Sequence, residues 1–139
     1  MSAFDVASRF FEACEKPLGW AGCRAYVAEG AAFTAQSEPI AEIDTVEAYC
    51  EWMKSFGTVT AAGATYELHA SAFDDKTRTA MFFATYHATH TGEGGPVPPT
   101  GKRTNSHYVY ILKMGDDDKV AEMTKIWNAP WAMTELGWT

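Results

Sequence analysis

The chain changes its hydrophobic period part-way along. In the first sixty residues apolar positions recur at three- and four-residue intervals. Phe4, Ala7, Phe10, Phe11 and Cys14 fall on one face of a predicted helix over 3–15. Ser2, with Asp5 three residues on, supplies a capping pattern, and Pro17 and Gly19 end the helix. Trp20, Cys23 and Val27 predict a second helix over 20–29, stopped by Gly30. Residues 31–36 read as a short strand or an extended link, and 37–43 as irregular around Pro39. Val46, Tyr49, Cys50, Met53 and Phe56 predict a third helix, capped by the Asp44/Glu47 pair and closed by Gly57.

Beyond Gly63 the period shortens towards two. Strands are predicted over 65–73, 79–91, 103–114 and 119–128, followed by a short helix opening at Pro130. The links are Asp74-Asp75-Lys76, the glycine- and proline-rich stretch 92–102, and Gly115-Asp116-Asp117-Asp118. Short links of this kind join antiparallel neighbours. Helices first and antiparallel strands after define an α+β class, in one domain over 1–139. Both faces of the strands are apolar: His107, Val109 and Ile111 alternate with Tyr108, Tyr110, Leu112 and Met114. Three helices cover one face only, so the second is expected to be covered by another copy, in a homodimer through the sheet.

Composition adds one unusual figure, 14% aromatic residues, beside an ordinary 47% hydrophobic and 21% charged. So many rings need a thick core, an aromatic-lined cavity or an interface. The net charge of −7 argues against nucleic acid and anionic membrane as partners. No apolar run approaches the ~18 residues of a membrane span. The start, Met1-Ser2-Ala3-Phe4-Asp5, lacks a basic stretch before an apolar one. Cys14, Cys23 and Cys50 lie in helical patterns without zinc-like spacing, and read as buried, reduced thiols of a cytoplasmic protein.

His90-Thr91-Gly92, Pro98-Pro99-Thr100-Gly101-Lys102, Lys119-Val120, Trp127 and Leu136-Gly137-Trp138 together resemble the SnoaL-like polyketide cyclase family of the nuclear-transport-factor-2-like superfamily. The likeness follows element order over most of the chain and is distinctive in the C-terminal half. It implies a cystatin-like α+β cone: a curved antiparallel or mixed sheet packed on about three N-terminal helices, with a pocket inside and often a dimer across the sheet. Family members include aldol-type cyclases, dehydratase and isomerase relatives, and proteins with no known reaction. The cyclases use an acidic residue at the end of the last strand, and the resemblance carries that position onto Asn128. The chain departs from the pattern there, because an amide exchanges no proton near neutral pH. Asn128 can still donate to a carbonyl or enolate oxygen.

Candidate chemistry centres on the strand ends. A four-residue turn after Met114 would pair His107 with Ile126 and Asn105 with Asn128, bringing these polar residues together at one end of the sheet. The expected catalytic residues are His107, as base or acid, and Asn128, as an oxygen-binding group. The expected substrate-binding residues are Asn105, His90, Tyr49, Trp52, Met53, Thr100 and Trp127. His87 and His90 have opposite parity and cannot share a face of a regular strand. Residues 92–102 lack the order of a phosphate loop and read as a rim loop stiffened by Pro96, Pro98 and Pro99. No metal or cofactor is expected. The expected partner is a small hydrophobic metabolite, and the expected function is its binding in an internal pocket with cofactor-independent acid–base chemistry on a ketone. The alternative is a non-catalytic ligand-binding or structural dimer that kept the fold and lost the acid.

Overall fold

The computed structural model describes all of residues 1–139. Four helices, α1 (Ala3–Glu15), α2 (Gly19–Cys23), α3 (Val46–Ser55) and α4 (Ala129–Glu135), accompany five strands: β1 (Val27–Ala35), β2 (Thr65–Asp74), β3 (Thr79–Thr89), β4 (Arg103–Met114) and β5 (Val120–Trp127). The sheet is mixed and open, in the order β1-β5-β4-β3-β2. β1 runs parallel to β5 and every other pair is antiparallel. The α+β cone expected from the sequence is therefore the observed architecture, with α1 and α3 packed on the concave face.

The α1 cap forms as its residues predict: the Ser2 hydroxyl accepts from the Asp5 N–H at 3.1 Å, and the Asp5 carboxylate accepts from the Ser2 N–H at 3.2 Å. Its Phe11 stacks on Phe82 of β3 at 4.9 Å and meets the edge of Tyr110 of β4 at the same centroid distance. A fully buried Phe of this kind contributes about 2–3 kcal/mol through the water it excludes. From α3, Tyr49 stacks on Phe33 of β1 at 4.5 Å.

Four local expectations are corrected. The second helix stops at Cys23; after one tight turn over Arg24–Tyr26 the chain is already strand at Val27. The reason is non-local, because Val27 pairs with Val120 ninety-odd residues away. Gly30 ends no helix; its φ of +72° sits within a register shift of β1, a conformation that favours glycine. The cap of α3 is Thr45, whose hydroxyl accepts from the Ala48 N–H at 3.1 Å, and Gly57 does not close the helix, which continues as a wide π turn over Phe56–Thr60.

The β4/β5 register differs from the predicted one by two residues. Tyr108 pairs with Trp127 and Val109 with Ile126, with an irregularity between Lys113 and Met114. A shift of two preserves which face each side chain takes. Tyr108, Tyr110 and Lys125 point into the cone, while Val109, Ile126 and His107 lie on its outside. Phe83, Val109 and Ile126 form one cross-strand row on that outer face, with Phe83 40% and Ile126 57% exposed.

Candidate functional site

The inside of the cone contains a line of polar groups in an otherwise ring-filled core. Lys125 of β5 is buried, and its Nζ donates to the Tyr49 hydroxyl at 2.7 Å. The Tyr49 and Tyr110 hydroxyls lie 3.0 Å apart, and Tyr110 donates to Glu15 Oε2 at 2.6 Å. Tyr108 donates to Glu15 Oε1. Because Tyr110 spends its single proton on Glu15, Tyr49 is the donor to Tyr110 when Glu15 is ionised. The result is a continuous relay, Lys125–Tyr49–Tyr110–Glu15–Tyr108, built from α1, α3, β4 and β5.

Rings surround the lysine. Its Nζ lies 5.0 Å from the centroid of Tyr49, 5.1 Å from Tyr108 and 5.2 Å from Trp127, with Tyr110 and Trp52 at 5.9 and 6.0 Å. Ring faces attract the ammonium, whereas burial opposes it. Burial prevails and brings Lys125 down to about 8, against the pull of the Glu15 charge. Burial likewise pushes Glu15 up to about 7, against Lys125 and the two phenol hydrogen bonds. Tyr49 and Tyr110 are pushed well above the ordinary phenol, by burial first and then by neighbouring acidic groups. An acid raised to about 7 and a base lowered to about 8 thus lie at the two ends of one hydrogen-bonded line, the arrangement proton-transfer sites use.

Beside Lys125 lies a cavity of about 20 Å³, walled by Trp52, Met53, Phe56, Tyr86, Tyr108, Trp127, Leu136 and the hydroxyls of Thr104 and Ser106. That is room for a single water. The wide apolar hollow expected from the sequence is therefore mostly filled by side chains. The Tyr86 hydroxyl is buried there without a hydrogen-bond partner. Trp52 and Phe56 also wall a second, open groove of about 430 Å³ at the mouth of the cone, with Pro39, Met133, Trp138, and Gly94 and Pro96 of the rim loop. These two rings are shared between the groove and the inner cavity.

The sequence-predicted residues divide into three groups. Tyr49, Trp52, Met53 and Trp127 all belong to the interior: Tyr49 is a relay member, and the others wall the cavity. The Trp127 indole N–H donates to the Ser106 hydroxyl at 3.1 Å. His90 and Thr100 serve the rim loop. His90 is fully buried; its Nδ1 accepts from the Trp138 indole at 3.0 Å and from the Thr100 N–H at 3.3 Å, while the Thr100 hydroxyl donates to the Leu136 carbonyl at 2.7 Å. His107, Asn105 and Asn128 do come together, with Trp131, around a cleft of about 200 Å³. The Asn128 N–H donates to the His107 carbonyl at 3.1 Å. That cleft is on the outside: all three are exposed, and the expectation that they look into the cone is corrected. Their parity with Val109 and Ile126 turns them away from it. Asn105 accepts from His87 at 2.6 Å and from Arg103 at 3.2 Å.

Glu15 and Lys125 escaped the sequence reading, although signals existed. Glu15 is four residues after Phe11 and so shares its helical face; Lys125 has the parity of Met123 and Trp127. A charged residue on an otherwise apolar stripe is the pattern of a buried functional group. Tyr108 and Tyr110, the remaining relay members, share their strand face with Leu112 and Met114, so their alternation alone shows an apolar face.

A curved, open, mixed sheet wrapped on its N-terminal helices, with polar groups converging inside, places the protein in the nuclear-transport-factor-2-like class of α+β cones. A family profile described as SnoaL-like domain matches residues 7–123, and the chain belongs to that family. A candidate SnoaL-like polyketide cyclase from Jannaschia sp. CCS1 superposes with a TM-score of 0.78 at 15% identity, covering 99% of this chain and 92% of that one. IdmH, a candidate polyketide cyclase from Streptomyces antibioticus, gives 0.77 at 16% identity over 99% of both chains. AclR, a candidate hydroxylase from Streptomyces galilaeus, gives 0.76 at 19% identity over 99% of this chain and 85% of that one. At these identities the likeness is one of fold. No curated protein matches the sequence. No helix is long and apolar enough to cross a membrane.

Proposed function

We propose that the protein binds a small hydrophobic ketone at the mouth of the cone and moves a proton on it, using Lys125 as base and Glu15 as the acid at the far end of the relay. The observation that carries this reading is the unbroken line from Lys125 through Tyr49 and Tyr110 to Glu15, ending beside a cavity that shares Trp52 and Phe56 with the open groove. A neutral Lys125 amine takes a proton from the carbon next to the carbonyl. The Ser106 hydroxyl, on the cavity wall, accepts from the Trp127 indole and so has its own proton free to donate to the enolate oxygen. With Glu15 holding its proton the resting pair is uncharged, and the proton gained leaves Lys125 an ammonium that balances the enolate, so the dry core carries no net charge. The substrate enters by displacing Trp52 and Phe56. Cyclisation, isomerisation and dehydration all begin with such a proton abstraction, in keeping with the cyclases of this fold.

The test is deuterium exchange next to the carbonyl of a small aromatic ketone in D2O, followed by proton NMR. Exchange is expected with the wild type, reduced at least about a hundredfold in Lys125→Met and slowed in Tyr49→Phe, which breaks the relay but keeps the ring. Exchange at the buffer rate with wild type, or unchanged in both variants, removes the proposal.

The same reading includes a homodimer. The row of Phe83, Val109 and Ile126 lies on the outer face of the sheet, beside Met81 and Ile111. A second copy placed there would cover this apolar strip and close the His107–Asn128 cleft.

A further inference from the structure

All three cysteines of the chain meet at one point. Cys14 comes from α1, Cys23 from the end of α2 and Cys50 from α3; no local motif joins them. Their Sγ atoms lie within 4.8 Å of one another, and all three are buried as free thiols. Three elements have converged their only thiols in a core where alanine or valine would fill the space.

The occupant is decided by charge. The cluster lies near the carboxyl of Glu15, which abuts Cys14 in the chain. All three cysteines are buried away from water, where a charged form is disfavoured. Zinc or cuprous ion would need thiolates, and three thiolates around either ion leave a buried net negative charge, which is costly. Zinc would also lack its fourth ligand. Trivalent arsenic meets neither obstacle. Neutral arsenous acid condenses with three neutral thiols, As(OH)3 + 3 RSH giving As(SR)3 + 3 H2O. Three As–S bonds form, each oxygen leaves as water with a thiol proton, no oxidation state changes, and no charge enters the core. Its fourth direction holds a lone pair and needs no ligand.

We propose that Cys14, Cys23 and Cys50 form a three-sulfur binding site for trivalent arsenic, presented as arsenous acid. With bonds of ~2.3 Å, close to those of zinc to sulfur, a pyramidal three-sulfur group needs its sulfurs roughly 3.5–4 Å apart, so the observed spacing closes by about 1 Å. The entry side is α2, a five-residue helix without a side-chain cap, whose Ala21 is exposed beside half-exposed Leu18. The site meets the relay at one point, where the Tyr110 hydroxyl lies 3.5 Å from Cys14 Sγ; Lys125 itself hydrogen-bonds Tyr49 and no cysteine, so the loss of Lys125 and the loss of the sulfur site can be told apart.

The experiment adds sodium arsenite to the reduced, full-length protein and follows it by native mass spectrometry, thermal unfolding and thiol titration. The expected adduct is one arsenic less three hydrogens per chain, with a raised Tm and no thiol left reactive. Cys23→Ala, which perturbs only the thin α2, is expected to weaken binding at least about a hundredfold by removing one arm of the chelate. Lys125→Met is expected to leave it unchanged. An adduct that keeps a hydroxyl on arsenic and spares one thiol overturns the three-sulfur site. So does affinity no higher for the folded chain than for the chain in guanidinium, or zinc or cuprous ion displacing arsenic in direct competition.

Discussion

Lys125 and Glu15 sit in opposite layers of the core and are joined only through two phenols, Tyr49 and Tyr110. A direct ion pair would fix both charges. Two intervening hydroxyls instead allow the pair to exist as ammonium and carboxylate or as amine and carboxylic acid, related by proton hops along one line. Burial narrows the gap between the two forms by raising Glu15 to about 7 and lowering Lys125 to about 8.

Stability is therefore expected to dip near neutral pH. Folded Glu15 keeps its proton to about pH 7, whereas the unfolded residue loses it near the ordinary 4.5. Between those values the native chain binds more protons, so its stability falls as pH rises. Lys125 acts in the other direction. Its folded value of about 8 lies below the ordinary 10.5, so stability is regained as pH rises above 8. Above pH ~9 Cys14, Cys50 and the buried phenols, whose pKa values are raised, reverse the trend; Cys23, which is drawn down, does not contribute to that fall. Urea unfolding across pH 5 to 9 should show a minimum between about 7 and 8. The double variant Glu15→Gln/Lys125→Met should lack both the falling and the rising limb.

Trp52 holds the inner cavity closed. It stacks on Phe56 at 5.3 Å and meets Trp127 at 6.2 Å. Trp52→Leu removes the partition between the water-sized space and the groove. The variant is expected to lose about 1–3 kcal/mol of stability. It should bind a small apolar fluorophore more tightly than wild type, as fluorescence titration will show; unchanged binding would mean that the two spaces do not communicate.

The outer face tests the dimer. Phe83→Lys sets a charge in the middle of the Phe83–Val109–Ile126 row. Sedimentation velocity should give a dimer for wild type at micromolar concentration and a monomer for the variant, with the melting profile of the monomer otherwise intact. A monomeric wild type would leave the face without this partner.

Period and capping made most of this fold legible: α1 and the four antiparallel strands fall within about two residues of their predicted limits. The failures were non-local. β1 was read partly as helix because its reason for being a strand, the parallel pairing of Val27 and Phe33 with β5, comes from the far end of the chain. At the site, polarity misled. His107, Asn105 and Asn128 look catalytic in a sequence, and they do meet, but strand parity turns them outward. The relay was hidden in residues that resemble packing. Nothing in the spacing of Glu15 and Lys125 could show that two tyrosines would connect them, since that depends on how α1 and α3 lie across β4 and β5.

His90 decides the shape of the groove without touching the relay. Its Nδ1 accepts from both Trp138 and Thr100, so the ring proton sits on Nε2, which is buried and unpartnered. The His90 N–H donates to the Lys102 carbonyl at 2.9 Å and its carbonyl accepts from the Gly101 N–H at 2.8 Å, closing the neck of the rim loop. At the other end, the Thr91 and Gly92 N–H groups donate to the Thr60 carbonyl at 3.1 and 2.9 Å. His90→Ala removes a fully buried ring and strands two half-buried donors, so a loss of about 2–4 kcal/mol is expected in urea unfolding. Trp138→Phe keeps a ring and removes one hydrogen bond, for about 1 kcal/mol. Because Trp138, Gly94 and Pro96 wall the groove, both variants should bind ketone more weakly. Both should retain the stability minimum between about pH 7 and 8. Loss of that minimum in His90→Ala would show that the rim loop and the relay are one unit rather than two.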